Sequence, residues 1–356
     1  MTRAKQKSTY NWDSGRICSG VRPGSINNQI MAKDKNSPLN ESESTMAVDG
    51  SLSWDKALAK YQSFKGDAQR WVNRYNHLGT LTYIMEPCKS SNAIYLPTGP
   101  AAEYGNVGCS IYVGCYGKCD YCYRNDAILA RAIGGSEVRL KKCFKSEAHA
   151  IEVYFKELFG GNGGTIREEI RKHGIFFTFT SDPGLPETFP LNAAVIAETV
   201  KLGVPILFLT KMTDWMDTEI GRDLLSIPEA KENLTIGFTL TGRDDLEQKA
   251  SPNKERINAL RRLHDEGFKT FSSMEPVISC KMSLSIIKEC LGFVNLFKVG
   301  LESHRKYDKE EVMKFVDDLA ALPEKPWIYL KDSIINLIGR ERDSYGENFV
   351  DADFRP

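Results

Sequence analysis

The chain has 356 residues, of which 41% are hydrophobic, enough for one large α/β domain with a substantial core or for two smaller domains. Its 47 basic residues balance 47 acidic ones, so no overall field would attract nucleic acid or an anionic membrane, although a local basic groove is still compatible with this balance. No apolar run approaches the roughly 18 residues of a membrane span, and no signal-peptide pattern begins the sequence. Nine cysteines, an odd number, disfavour a disulfide framework, and these features together predict a cytoplasmic protein.

Two segments are predicted to precede the main domain. Residues 1–50 are rich in Ser, Asn, Lys, Asp and Gly and have no apolar periodicity, which predicts a disordered polar tail. Residues 51–104 are predicted to form a helical N-terminal extension, because large apolar side chains recur there at helical spacing. That apolar face consists of Trp54, Leu58, Tyr61, Phe64 and Trp71.

The main domain is predicted over residues 105–335, where short apolar segments alternate with amphipathic helical patterns. This alternation indicates an α/β fold with a parallel sheet. The predicted strands are 109–113, 175–181, 205–210, 234–241, 269–274 and 296–300, with a further candidate at 327–330. Apolar stripes predict helices near 148–158, 257–263 and 312–319. Residues 336–356 are predicted to be a C-terminal tail.

Three cysteines stand in the pattern Cys-x3-Cys-x2-Cys directly after the first predicted strand: Cys115, Cys119 and Cys122. Three thiolates on one loop can hold three irons of a [4Fe–4S] cluster, which normally takes four cysteine ligands, so the fourth iron stays open. An open coordination position is typical of a metal that performs chemistry. As an alternative, Cys109 could supply a fourth thiolate for a structural zinc site, in a protein that binds without catalysis.

The cysteine loop, with the aromatic residue Tyr121 directly before its last cysteine, resembles the radical S-adenosylmethionine superfamily. The resemblance implies a partial (β/α)6 barrel over 105–335, with chemistry at the carboxyl ends of the strands. It also implies that the open iron binds S-adenosylmethionine. One electron, from a donor such as flavodoxin or ferredoxin, would then cleave this cofactor to a 5′-deoxyadenosyl radical that abstracts hydrogen from a substrate.

Ser181 and Asp182 end the second predicted strand and are expected to face the cluster and to bind S-adenosylmethionine. The family's usual Gly-Gly-Glu motif is absent here. The Ser-Asp-Pro sequence instead resembles the branch that contains spore photoproduct lyase, which suggests nucleic acid or a nucleotide as substrate. A plain turn is the alternative for Asp182, and a peptide- or protein-modifying enzyme is the alternative for the function.

Further candidates follow the third and fourth strands. Lys211 could meet an anionic group or be a solvated rim residue. Thr239 and Thr241 point to one side of a strand, where their hydroxyls could bind the cofactor, and Arg243 could bind its carboxylate. The alternative for both threonines is simple β-propensity.

The remaining candidates concern the substrate. Glu275 precedes a proline at the end of the fifth strand and could face the substrate or an arginine. Cys143 and Cys280 are isolated cysteines, and the lyase-like branch implies that either could donate hydrogen to a substrate radical, although a free buried cysteine is the default. His304, after the sixth strand, is predicted to be a surface group.

Overall fold

The computed structural model describes residues 52–77, 92–125, 129–130, 133–160, 166–303 and 305–356. These residues all fall within one compact unit, Met46–Pro356. The predicted tail over 1–50 and the predicted surface group His304 are therefore outside the described residues.

Helices and strands alternate along the described chain. The strands are β1 (Ile94–Tyr95), β2 (Gly108–Cys109), β3 (Tyr112–Val113), β4 (Arg139–Leu140), β5 (Ile175–Phe177), β6 (Ile206–Thr210), β7 (Leu234–Thr239), β8 (Lys269–Met274), β9 (Leu296–Val299) and β10 (Trp327–Leu330). The α-helices are α1 (Trp54–His77), α2 (Glu147–Leu158), α3 (Glu168–His173), α4 (Phe189–Lys201), α5 (Glu219–Leu225), α6 (Pro228–Asn233), α7 (Asn253–Asp265), α8 (Cys280–Cys290), α9 (Lys309–Ala320) and α10 (Asp332–Ile338).

Eight strands form one open sheet in the order β1-β2-β5-β6-β7-β8-β9-β10. Every neighbouring pair from β2 to β10 is parallel, and only β1 runs antiparallel, against β2. Strands β3 and β4 form a separate antiparallel pair. Within the described residues the sheet does not close on itself, so the predicted α/β fold with an open, partial barrel is confirmed.

Alternation of side chains along the strands separates two apolar layers. One layer, the inner layer, lies on one face of the sheet and contains Tyr104, Phe176, Leu207, Phe271, Leu296 and Tyr329. The other layer is the main core between sheet and helices, and it takes the neighbours of those residues, such as Ile175, Phe177 and Ile206. The inner layer forms the floor beneath the carboxyl ends of the strands.

Several strands end earlier than the sequence predicts. The predicted strand 175–181 stops at Phe177, because the hydroxyls that follow bond to the cysteine loop instead of extending a ladder. Thr180 Oγ1 donates to the Tyr112 carbonyl at 2.5 Å, and Ser181 Oγ donates to the Gly114 carbonyl at 2.6 Å. Side chains of this type commonly compete with strand pairing through such bonds.

The C-terminal segment is attached to the barrel rather than separate from it. The Ile328 N–H donates to the Asn348 carbonyl at 2.9 Å, and the Val350 N–H donates to the Ile328 carbonyl at 2.8 Å, which extends the sheet beyond β10. The buried Lys298 ammonium donates to the Ala352 carbonyl at 3.0 Å. Residues 348–352 thus cover the inner layer at the open edge of the sheet.

A substitution at Gly237 of β7 tests how closely the inner layer is packed. A Cβ there would lie 2.3–2.5 Å from ring atoms of the fully buried Phe271, so Gly237→Ala is expected to destabilise the fold by about 1–3 kcal/mol or more. Gly66, exposed on α1, is the matched control: a Cβ meets nothing within 4 Å, and Gly66→Ala should stabilise by about 0.5–1 kcal/mol. Urea unfolding of both variants checks this, and equal effects of the same sign would contradict the packing described.

Candidate active site

A cavity of about 790 Å³ opens at the carboxyl ends of the parallel strands, directly beside the cysteine loop. Its size falls within the range of small-molecule and cofactor sites. The strands contribute Ser181 and Asp182 after β5, Thr210 and Lys211 at the end of β6, Thr239 of β7, Glu275 after β8 and Lys331 after β10. The loop contributes Cys115, Cys119, Tyr121, Cys122, Tyr123 and Arg124.

Backbone geometry fixes the start of the cysteine loop. Gly114 has φ of 90°, and a Cβ there would lie 1.8 Å from the Glu137 carbonyl oxygen, so only glycine fits. The Cys115 N–H donates to the Gly135 carbonyl at 3.2 Å, and the buried Arg124 guanidinium donates to the same carbonyl at 2.9 Å. The loop is therefore held at both ends by the segment 133–137.

The three thiols of the loop are half-buried and line the same cavity. The Gly117 N–H donates to Cys115 Sγ at 3.3 Å, and a Cβ on Gly117 would approach the sulfurs of both Cys115 and Cys119. Burial raises the pKa of the Cys115 thiol to about 11, and the charge of Asp182 adds to this. Burial also raises the pKa of Cys119, against the opposing charge of Lys211. Because iron binds thiolates, loading a cluster here would release protons.

Cys109 lies away from these thiols. Its side chain is fully buried in the main core, and burial raises the pKa of its thiol far above the usual value. Among the described residues, no group of three or more His, Cys, Asp or Glu side chains is close enough to hold a single metal ion. The four-thiolate zinc site considered from the sequence would need Cys109 in the loop, and the structure does not place it there.

Asp182 connects β5 to the end of β6. Its Oδ1 accepts hydrogen bonds from the Gly184 N–H at 2.9 Å and from Thr210 Oγ1 at 2.5 Å, and its Oδ2 accepts from the Lys211 N–H at 2.9 Å. The bond to Gly184 is the turn predicted as the alternative, and the carboxylate nevertheless lines the cavity. Forming the turn therefore does not remove the Asp182 carboxylate from the cavity lining.

Lys211 points its ammonium group toward the cysteine loop, with Nζ 5.5 Å from the centre of the Tyr121 ring. Burial lowers the pKa of Lys211, but the negative potential of Cys119, Glu247 and Asp182 outweighs burial and raises it above the usual value. The side chain therefore carries a positive charge beside the thiols at neutral pH.

Tyr121 belongs to a buried network that the sequence analysis missed. Its hydroxyl donates to Glu247, whose carboxylate also receives hydrogen bonds from Arg256 and, at 3.2 Å, from Asn253 Nδ2. The Glu247 and Arg256 side chains are both fully inaccessible to solvent. Burial favours a raised pKa for Glu247, but the hydrogen bonds and charge of Arg256 outweigh it and hold the pKa below its usual value.

Backbone bonds bring the same 246–249 segment against the cysteine loop. The Asp120 N–H donates to the Leu246 carbonyl at 3.0 Å, and the Lys249 N–H donates to the Gly117 carbonyl at 3.2 Å. The loop after β7 thus supports the cysteine loop through bonds separate from those made by the segment 133–137.

The three residues predicted at the end of the fourth strand do not all reach the cavity. Thr239 lies on β7 and lines the cavity. Thr241 is beyond the end of that strand, fully buried, and its Oγ1 accepts from the Arg243 N–H at 3.2 Å. Arg243 turns outward into a two-point ion pair with the exposed Asp245, at 2.6 and 2.7 Å. Neither Thr241 nor Arg243 is in the cavity lining.

The two predicted hydrogen donors also lie elsewhere. Cys143 is half-buried against the main core, and Cys280 is buried at the start of α8. Burial, together with the nearby Glu311, raises the pKa of Cys280 to about 11. Neither thiol lines the cavity.

Glu275, in the same cavity lining, forms a second ionic group with Lys331. The Lys331 ammonium donates to both Glu275 oxygens, at 2.8 and 2.9 Å, and the Tyr104 hydroxyl donates to the same carboxylate. The sequence analysis expected Glu275 to face a substrate or an arginine, and the structure supplies a lysine as its partner.

Comparison with known proteins gives similarity only at the level of solved structures, since neither a protein-family model nor a curated protein matches the chain. SuiB from Streptococcus suis is similar over 49% of this chain and 42% of its own (11% identity, TM-score 0.38). SuiB bound to S-adenosylmethionine is similar over 46% and 40% (11% identity, TM-score 0.37), so the chain spans about two fifths of the SuiB length. A spore photoproduct lyase mutant with bound AdoMet and dinucleoside spore photoproduct is similar over 80% of this chain and 79% of that one (13% identity, TM-score 0.39).

Proposed function

We propose that the chain is a radical S-adenosylmethionine enzyme. One observation carries the proposal: the three cysteines of a single short loop line one cavity at the carboxyl ends of a parallel, open sheet. Cys115, Cys119 and Cys122 would hold three irons of a [4Fe–4S] cluster. When bound, the cluster and S-adenosylmethionine supply one-electron cleavage of the sulfonium and a 5′-deoxyadenosyl radical.

Two oppositely charged groups of the chain are placed to orient the cofactor. Asp182 accepts three hydrogen bonds within the protein, and a carboxylate has about four acceptor positions, so one is left for a ligand ammonium group. The positively charged Lys211 lies beside Asp182 and can bind a ligand carboxylate. Ser181 and Thr239 add hydroxyls in the same lining, and Tyr121 positions the loop through Glu247.

Thr241 and Arg243 have no place in this proposal, because their side chains lie outside the cavity. Cys143 and Cys280 have none either, because their thiols also lie outside the cavity.

A one-electron donor is required, and a flavodoxin or ferredoxin is the proposed class. No helix in the described part of the chain is long and apolar enough to cross a membrane.

Anaerobic reconstitution tests the proposal. Full-length protein loaded with iron and sulfide, then reduced with dithionite in the presence of S-adenosylmethionine, should form 5′-deoxyadenosine, which mass spectrometry detects. Protein that binds one zinc and no acid-labile sulfide would contradict the proposal.

We further propose nucleic acid or a nucleotide as substrate. Stimulation of 5′-deoxyadenosine formation by DNA or RNA would support this substrate class. Stimulation only by peptide would favour the peptide-modifying alternative.

Lys211→Met is expected to weaken S-adenosylmethionine binding by about ten- to a hundredfold, since a hydrogen bond to a charged group contributes roughly 1.5–3 kcal/mol. Iron and sulfide content should not change, because Lys211 is not a cluster ligand. Equilibrium binding to the cluster-loaded protein measures the effect.

Arg243→Met is the matched control for Lys211→Met, because Arg243 is the cation that the sequence favoured but the structure directs to solvent. It should bind S-adenosylmethionine like the unmodified chain. The reverse ranking of the two variants would restore the sequence-based prediction.

A further inference from the structure

A buried ion pair of unequal exposure lines the same cavity as the cysteines. Lys331, directly after β10, has only 3% of its side chain exposed, whereas Glu275 keeps 24% exposed. A Cβ added at Gly300 would lie 2.7 Å from Lys331 Cδ and 3.2 Å from Glu275 Cδ. Glycine at this position therefore leaves room for the pair. Both residues line the cavity, and the carboxylate is the more exposed member of the pair.

The hydrogen bonds that Lys331 and Glu275 already make determine which ligand groups they can still bind. The Lys331 ammonium has three donors and lies within 2.8–3.4 Å of four acceptor oxygens, from Glu275, Glu103 and the Pro100 carbonyl. It has no donor left for an anionic ligand. The Glu275 carboxylate receives two bonds from Lys331 and one from Tyr104, which leaves one of about four acceptor positions.

Tyr104, which bonds to Glu275, begins a series of aromatic rings, since its ring centre lies 5.4 Å from that of Phe176. Tyr104, Phe176 and Phe179 line the same cavity, and the rings of Phe176 and Phe179 lie 4.5 Å apart between centroids. Aromatic side chains of this kind stack on planar groups. A ligand here would thus meet aromatic faces and one carboxylate that accepts a hydrogen bond.

We propose that Glu275, held by Lys331 and Tyr104, is the specificity-determining residue of a substrate subsite for planar, uncharged groups that carry an N–H donor. Because Lys331 is shared between the carboxylates of Glu275 and Glu103 and has no spare donor, an anionic ligand gains nothing at this position. The proposal rests on the proposed function, since the subsite shares its cavity with the cysteine loop.

Benzamide, N,N-dimethylbenzamide and benzoate are the probes, since they share a ring and differ in N–H donors and charge. Ligand-observed NMR on full-length, cluster-loaded protein should show benzamide binding at least about tenfold more tightly than the other two. In Glu275→Gln the amide oxygen remains with Lys331 and the NH2 group turns to the cavity, so the preference for benzamide should disappear. Equal binding of the three probes by the unmodified chain, or an unchanged preference in Glu275→Gln, would overturn the proposal.

Glu302→Gln is the matched control, because Glu302 lines the same cavity, has a similar exposed fraction of 27% and is paired with Arg305. The benzamide preference should survive in this variant, and its loss there would also overturn the assignment to Glu275. Formation of 5′-deoxyadenosine without substrate is measured in parallel on the unmodified chain. Failure of that reaction in the unmodified chain would contradict the proposed function, whereas failure of probe discrimination contradicts only the subsite.

Discussion

Cys119→Ala is expected to abolish the iron–sulfur cluster, with iron and acid-labile sulfide falling to the background of protein that was never reconstituted. The physical reason is that the loop offers three thiols to the cavity, and none of the other described cysteines lies in the lining to replace a lost one. S-adenosylmethionine cleavage should be lost with the cluster. Metal analysis, sulfide analysis and visible absorption after anaerobic reconstitution measure the change.

Two further cysteine variants separate the cluster from the zinc alternative. Cys143→Ala removes a half-buried thiol outside the cavity, and Cys109→Ala removes the thiol that a four-cysteine zinc site would require. Both variants should keep full iron and sulfide content. Loss of metal in Cys109→Ala, or a full cluster in Cys119→Ala, would contradict the ligand assignment made here.

The sequence was most informative where chemistry is local. The spacing of Cys115, Cys119 and Cys122 predicted a single metal-binding loop, and the alternation of apolar segments predicted the parallel sheet, because both signals lie within short stretches of chain. Ser181 and Asp182 were predicted from the same kind of local pattern, although β5 ends at Phe177, before both residues. The structure shows all five residues in one cavity lining.

The sequence misled where a strand boundary determined the direction of a side chain. Thr239 and Thr241 share a face only if β7 continues through both, but the strand ends at Thr239. Asn253 Oδ1 accepts the N–H groups of Thr241 and Gly242, each at 3.0 Å, and Gly242 adopts φ of 73°. These contacts turn the chain, so Arg243 projects outward to Asp245.

The partners of Tyr121 could not be predicted, because they come together only in the folded chain. Glu247 and Arg256 lie more than a hundred residues from the cysteine loop, and nothing in their local sequence distinguishes them from surface charges. A weak signal exists at Arg256, which directly precedes Ile257 on the apolar stripe of α7. A charged residue on a core-facing stripe needs a buried partner.

Glu247→Ala is expected to destabilise the fold by about 3–5 kcal/mol, because it leaves the fully buried Arg256 guanidinium without its carboxylate. The nearest remaining acid, Asp244, is 3.7 Å from Arg256 and largely exposed, so it compensates little. Tyr121 also loses its acceptor, and the cysteine loop loses a support. Urea unfolding under anaerobic conditions, in the absence of cluster, measures the change in the free energy of unfolding.

A double variant distinguishes the cost of an unpaired charge from the loss of the network itself. Glu247→Leu with Arg256→Met removes both charges and keeps apolar volume, and replacing a buried ion pair in this way is often neutral or stabilising. Most of the stability lost in Glu247→Ala should therefore return. Iron and sulfide content should stay lower than in the unmodified chain, because the Tyr121 hydroxyl still has no carboxylate to bind. If full cluster loading returns together with stability, Glu247 supports the fold but does not position the cysteine loop.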